Sequence, residues 1–307
     1  MSQTIATPSL HFLPITPDLR ERYMRIVAAS CQDADHAFAN LYMWNGIYHQ
    51  ELAFFETEAC RRAVVCFCDA DGRHRYLFPA GQGEIAPVLE AMREKARQRG
   101  EKLTLSAVTE AQLAELNATL PNAFNATEER DVADYLYSAE ALATLAGSKL
   151  HGKRNHINAF TAAHQWEVLA LTPDRFADCR ALLAAWSSAH DDTAAQSERI
   201  VVERALEAFA PLALEGALLV ADGEPVAFTL GSMLTPDTLC VHVEKARPEV
   251  QGAYPMINRE FVRMMCRKYP TLTTVNREDD MGLENLRRAK MAYRPLKLLT
   301  KFTLTER

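Results

Sequence analysis

In the run TLCVHVEKA (238–246), period-two alternation places Cys240, His242 and Glu244 on one face of a strand and Leu239, Val241 and Val243 on the other. One face is apolar and the other can do chemistry. A histidine next to a glutamate can act as a general base and its orienting partner, because surroundings tune both groups toward neutral pH. The same pair also suits a hydrogen-bonded polar couple on a half-buried strand. No metal site is expected, since no third ligand stands at a recognisable spacing.

A second group of residues points to an anion. In SKLHGKRNHINAF (148–160), Lys153, Arg154 and His156 crowd together with Asn155 and Asn158 among the apolar Ile157 and Phe160, and no acidic residue lies between Glu140 and Glu167. This composition grips phosphate oxygens, although a run of charge is also what a solvated helix face looks like. In VQGAY (250–254), Gly252 opens a helix whose first backbone N–H groups can face an anion, or else makes a simple turn. In NREDDMGLENLRRAK (276–290), helical spacing sets Lys290 beside Leu283, Leu286 and Tyr293 with Arg287 at the edge of that face, and Asn276 and Glu278 close by at the preceding strand end. A lysine on an apolar face either reaches out to water or meets an anion. The expectation is that Lys153, Arg154, His156, Arg287 and Lys290 converge on one phosphorylated ligand, with neutralisation by Glu278, Asp279 and Asp280 as the rival.

The rest of the chain must position these groups. Its 307 residues, 48% of them hydrophobic, suffice for two cores of about 150 residues each. A formal net charge of −6 argues against a protein that coats nucleic acid, while a short basic site for one ligand remains open. The seven cysteines are odd in number and scattered, which reads as reduced thiols in a cytoplasmic protein. The N-terminus has no signal-like apolar run, and no segment approaches the roughly 18 apolar residues of a membrane span, so a soluble chain without integral membrane association is expected.

Strands and helices alternate in both halves. RRAVVCFCDADGRHRYLF (61–78) reads as a hairpin about Asp69–Gly72, followed by a helix in EIAPVLEAMREKARQRG, a strand in KLTLSAV and a helix in TEAQLAELNATL. The aromatic stretch LYMWNGIYHQELAFF (41–55) reads as core. In the second half the order is β-α-α-β-β-β-α-β-α-β, from WEVLALT to a final strand LKLLTKFTL. The fold class is α/β (α+β), with a boundary that separates residues 1–145 from 146–307.

DYLYSAEALATLAGSKLHGKRNHINAF, VHVEKA with QGAYPMIN, and VNREDDMGLENLRRAKMAYRP, with LYMWN and FPAGQGE nearer the N-terminus, together resemble a bacterial family grouped with the C-terminal domain of phosphatidylglycerol lysyltransferases. The resemblance covers nearly the whole chain. It implies two GNAT-type acyltransferase folds in tandem, as in Fem-type aminoacyltransferases, with an activated donor held where TLCVHVEKA and TLTTVNRE part and its phosphates at VQGAY. Two departures weigh against acetyl-CoA: Tyr254 stands where a second loop glycine is usual, and Arg288 falls near the position of the tyrosine that protonates a departing thiolate. The resemblance therefore implies aminoacyl transfer from aminoacyl-tRNA to an amine or hydroxyl of a small molecule or peptide, with no tightly bound cofactor. His242 and Glu244 would assist deprotonation; Lys153, Arg154, His156, Gly252, Asn276, Arg287 and Lys290 would hold the donor. An acyl-CoA-dependent N-acyltransferase and a non-catalytic module for a phosphorylated ligand are the alternatives.

Overall fold

The structure is a computed structural model that describes residues 9–27, 31–188 and 193–307. Two units divide the chain, Met1–Ala133 with Leu299–Arg307 and Asp134–Leu298. In the first, a mixed sheet runs in the order β1 (Leu13–Pro14), β2 (Glu51–Glu56), β3 (Cys60–Cys68), β4 (His74–Leu77), β6 (Thr104–Thr109), β15 (Lys301–Glu306) and β7 (Phe124–Glu128), with β5 (Ala80–Gly83) paired to β3. Its helices are α1 (Arg20–Val27), α2 (Phe38–Tyr48), α3 (Ala86–Gln98) and α4 (Glu110–Thr119). The expected hairpin forms because the Asp69 carboxylate accepts the N–H groups of Asp71 and Arg73, and Gly72 takes φ +75°. Helix α3 buries Val88, Leu89, Met92 and Ala96, the stripe its spacing foretold. Thr109 and Gln112 close a reciprocal cap at the start of α4.

The second unit holds a seven-stranded sheet in the order β14 (Lys297–Leu299), β8 (Asp134–Ser138), β13 (Thr274–Asn276), β12 (Thr238–Ala246), β11 (Glu224–Thr235), β10 (Glu215–Ala221) and β9 (Trp166–Ala170). Strands β12 and β13 run parallel, whereas β11 pairs antiparallel with β12 and β8 with β13. The helices are α5 (Ala139–Thr144), α6 (His151–Ala163), α7 (Phe176–Ser188), α8 (Thr193–Glu207), α9 (Ala253–Lys268) and α10 (Glu284–Met291). Ile157 and Phe160 of α6 and Ile257 and Phe261 of α9 pack with Leu239, Val241 and Val275 of the sheet in one core. No helix among the described residues is long and apolar enough to cross a membrane.

Two expectations about organisation need correction. The division falls at Ala133/Asp134, not after residue 145, because Asp134–Ser138 pairs with β13 and is a strand of the second sheet. The final run LKLLTKFTL is two strands: β14 stays in the second sheet, and β15 returns to the first sheet, between β6 and β7. Both misreadings concern which sheet a strand joins, and alternation alone carries no such information.

The first unit buries one charged pair that makes a pH prediction. His36 Nδ1 lies 2.6 Å from Asp33 Oδ1 and its Nε2 lies 2.9 Å from the carbonyl oxygen of Phe78, with both side chains buried. Both partners only accept, so both ring nitrogens carry protons. Burial opposes that charge, but the Asp33 carboxylate wins and raises His36 well above its ordinary value, while the histidine lowers Asp33 against the same burial. A raised folded pKa means that the stabilisation is complete below about pH 6.5 and is lost as pH climbs through the folded value. The melting-temperature difference between wild type and His36→Gln is therefore expected to be largest from about pH 5 to about 6.5 and to shrink on the alkaline side. A difference that stays constant into alkaline pH would show that the imidazole is neutral.

Candidate active site

Strands β12 and β13 pair only from Thr238 with Thr274 to Cys240 with Asn276, after which β12 continues to Ala246 and β13 ends. Asn276 ends it. Its fully buried side chain donates from Nδ2 to Asp134 (2.9 Å) and accepts the N–H of Glu278 on Oδ1 (2.8 Å), which turns the chain and leaves Glu278 at φ +55°. The two strands part at this point.

The open stretch of β12 carries a bulge. Leu230 pairs with Val243 and Gly231 with Val241, so His242 is an extra residue opposite the β11 backbone. Gly231 allows it, because a Cβ there would stand 2.6 Å from the Cys240 carbonyl oxygen. The carbonyl of Val243 accepts the Thr229 hydroxyl at 2.8 Å. The bulge breaks alternation, so the single face expected for Cys240, His242 and Glu244 does not exist. Glu244 contacts Asn258 of α9 on the side of Leu239 and Val241, whereas His242 meets Ser232 on β11.

One ion pair, Glu244–Arg277, and one histidine–carboxylate hydrogen bond, His242–Glu278, bridge the parted strands. Glu244 Oε1 accepts from Arg277 at 3.0 Å and Oε2 from Asn258 at 2.9 Å, with the Glu244 and Arg277 side chains 12% and 11% exposed. His242 Nδ1 lies 2.9 Å from Glu278 Oε1, and its Nε2 lies 2.8 Å from the Ser232 hydroxyl. The Arg277 guanidinium sits 4.8 Å from the Tyr293 ring centroid, and Lys153 Nζ sits 4.1 Å from it. Burial opposes the charge on Arg277, yet Glu244, Tyr137 and Tyr293 together raise its pKa, so it is a fixed cation. Lys153 moves the other way, lowered by burial and by the neighbouring Arg277. Arg277 Nη1 and Asn258 Oδ1 are buried and find no hydrogen-bond partner among the described residues. Cys240, His242 and Glu278 also bring sulfur, nitrogen and oxygen atoms within 4.8 Å of one another.

The expected phosphate clamp is largely spent inside the protein. Arg154 donates to the carbonyls of Leu145 and Gly147, at 2.7 Å for the latter, and so ties down the end of α5. Arg287 grips the buried Asp280 with two bonds of 2.9 and 3.0 Å. Lys290 is buried, and its ammonium donates to the backbone carbonyls of Arg277, at 2.6 Å, and Asp279. Burial, and then Arg277, lower its pKa. Asn276 is committed to Asp134 and Glu278. Gly252 is a packing glycine: it caps α9 at φ +86°, and a Cβ there would stand 2.5 Å from the His156 carbonyl oxygen. His156 itself is exposed, and of the expected cations Lys153 is the one that joins the Glu244–Arg277 group.

The family model of the phosphatidylglycerol lysyltransferase C-terminal domain matches residues 28–305. The chain belongs to this family. A conserved protein of unknown function from Bacteroides thetaiotaomicron is 34% identical, with a TM-score of 0.91 over 97% of this chain and 100% of that chain. The C-terminal domain of a lysylphosphatidylglycerol synthetase from Agrobacterium fabrum shares the fold at 15% identity, with a TM-score of 0.66 over 94% of this chain and 91% of that one. A tandem GNAT protein from the clavulanic acid biosynthesis pathway is similar over 97% of this chain and 98% of its own, at 12% identity and a TM-score of 0.53. A search of curated proteins returns no match. This lysyltransferase-type chain thus has the mixed α/β, GNAT-like architecture expected of it.

Sequence reasoning missed Ser232, Asn258, Arg277 and Tyr293. One signal was present: Gly231 lies inside an apolar strand, and an interior glycine marks a bulge. The different duties of the cations separate two variants. Arg154→Ala is expected to lower stability by about 1–3 kcal/mol, the scale of a lost charged hydrogen bond, with binding of tRNA or coenzyme A and its salt slope unchanged. Lys153→Ala is expected to weaken that binding and flatten the slope with little change in melting temperature. The reverse assignment of effects would return Arg154 to the ligand.

Proposed function

We propose that the chain is an acyltransferase that moves an aminoacyl group from the ester of an aminoacyl-tRNA to an amine or hydroxyl acceptor in the cytoplasm. The observation that carries this reading is the pair of unpartnered atoms on either side of Glu244: a donor, Arg277 Nη1, and an acceptor, Asn258 Oδ1. Buried polar groups are completed by ligands or ordered water. An aminoacyl ester brings both complements on one small group, a carbonyl oxygen for Arg277 and an α-ammonium for Asn258 and Glu244. A plain acyl thioester brings only the carbonyl. Tyr254 and Arg288, which depart from acetyl-CoA enzymes, agree with this choice.

His242 is the acceptor's base in this scheme. Its Nδ1–H is fixed on Glu278, which leaves Nε2 as the basic nitrogen and stabilises the imidazolium that forms. Lys153 supplies charge for the donor's phosphates. The family's lipid acceptor is not carried over, and a small molecule or peptide amine is the acceptor proposed.

The test is donor consumption in the presence of primary amines. Aminoacyl-tRNA is expected to lose its label faster than by spontaneous hydrolysis, and acetyl-CoA to stay intact. N-acetylaminoacyl-tRNA, which lacks the ammonium, is expected to react more slowly by about 10-fold or more, since an unpaired buried group costs about 1–3 kcal/mol. Asn258→Ala should narrow that gap. Consumption of acetyl-CoA with aminoacyl-tRNA untouched would favour the N-acyltransferase alternative, and tight binding of tRNA without turnover would leave a binding module.

A further inference from the structure

Two histidines of this chain are held by carboxylates, and the difference between them is informative. His36 donates from both nitrogens, to Asp33 and to a backbone carbonyl, and has no lone pair to offer. His242 has a carboxylate on one side and a hydroxyl on the other: Glu278 Oε1 at 2.9 Å from Nδ1, and Ser232 Oγ at 2.8 Å from Nε2. With Nδ1–H directed at Glu278, Nε2 is the acceptor and Ser232 O–H the donor. Nucleophile, base and orienting acid are thereby joined through two hydrogen bonds of catalytic length.

The surroundings suit this role better than a structural one. Ser232 follows Gly231 at the bulge, and His242 is the extra residue that the bulge turns toward it. Glu278, which accepts from His242 and, at 3.7 Å, from Cys240, is held by the Asn276 turn at φ +55°, a costly conformation. The His242 side chain is 1% exposed and Ser232 6%, whereas Glu278 is 21% exposed. A serine kept from bulk water is protected from wasteful hydrolysis of an acyl ester formed on it.

We infer that Ser232 is a nucleophile and that the transfer proposed above runs through an acyl-serine. Ser232 Oγ attacks the carbonyl carbon of the donor ester while its proton passes to His242 Nε2. The bond from that carbon to the departing oxygen then breaks, and His242 returns the proton to the leaving hydroxyl. In the second half the acceptor amine attacks the acyl-serine, gives a proton to His242, and Ser232 Oγ departs and recovers it. Nothing is oxidised or reduced, and no further reactant enters. The inference rests on the acyl-transfer reading for its substrate but not for its test.

The test is active-site labelling of the whole protein with a fluorophosphonate and, separately, with a p-nitrophenyl aminoacyl ester, followed by peptide mass mapping. The expected result is one adduct on Ser232, formed more slowly by at least about 100-fold in His242→Gln, the scale of a lost general base. Wild-type protein carries the experiment, so a poorly folding Ser232→Ala variant does not weaken it. No adduct on Ser232 in folded protein, an adduct on another residue, or labelling indifferent to His242 overturns the assignment. So does one equivalent of zinc bound through Cys240, His242 and Glu278 with Ser232 unlabelled. An adduct on Ser232 without transfer from aminoacyl-tRNA removes the proposed substrate and keeps the nucleophile, whereas transfer at the wild-type rate by folded Ser232→Ala does the opposite.

Discussion

A guanidinium held beyond the end of a strand must find a carboxylate, since a buried charge left alone costs several kcal/mol. Arg277 follows the last residue of β13, is 11% exposed, and has Glu244 as its carboxylate. Strict alternation along β12 from Leu239 and Val241 would send Glu244 to the opposite face. The extra residue at His242 brings it back, Gly231 makes room for that residue, and the displaced Val243 carbonyl takes the Thr229 hydroxyl. The bulge that completes one ion pair also delivers His242 to Ser232 and Glu278. One electrostatic requirement thus organises both halves of the site.

The loop that follows β13 is held by the same logic. Asp280, fully buried, takes Arg287, the Tyr135 hydroxyl and the N–H of Gly282. Lys290 fastens the carbonyls of Arg277 and Asp279, and Tyr137 in turn fastens the carbonyl of Lys290. Each of these groups is satisfied by protein atoms, so none needs a ligand to be stable. Their contribution is positional: they fix Glu278 and Arg277 where β12 can be met across the gap. A reacting pair held this way does not have to be ordered by substrate, and orientation of reacting groups is a large share of what an active site supplies.

Much of this fold is visible in the sequence because apolar spacing and turn residues are local signals. The stripe of α3, the Asp69–Gly72 turn and the run 238–246 fall where patterning puts them. Sheet membership is not local, which is why Asp134–Ser138 and the split between β14 and β15 escaped. The site was half legible. His242 and Glu244 were found by type, but their common face was not real, because one inserted residue reverses every later side chain. Arg287 and Lys290 stand in the sequence as cations on an apolar face, and composition cannot tell whether such a cation serves a ligand or, as here, a buried carboxylate and backbone carbonyls of the protein itself. Glu278 was noted as a neighbour and a rival partner, whereas its bond to His242 spans the parted strands and has no counterpart in spacing.

The internal use of Arg154, Arg287 and Lys290 constrains how a phosphorylated donor can be recognised. What α6 and the turn before it offer is two lysines, Lys149 and Lys153, with His151 and His156 beside them. Each phosphate contact contributes about 0.7 to 0.9 to the salt slope, so such a surface supports a slope of about two, not the steep dependence of proteins that track a nucleic-acid backbone. A chain with a net charge of −6 adds long-range repulsion to that weak grip. Discrimination among donors must then reside at the reactive end. That is where the structure concentrates its buried and specific chemistry, in the Glu244–Arg277–Asn258 group and in His242 with its two partners.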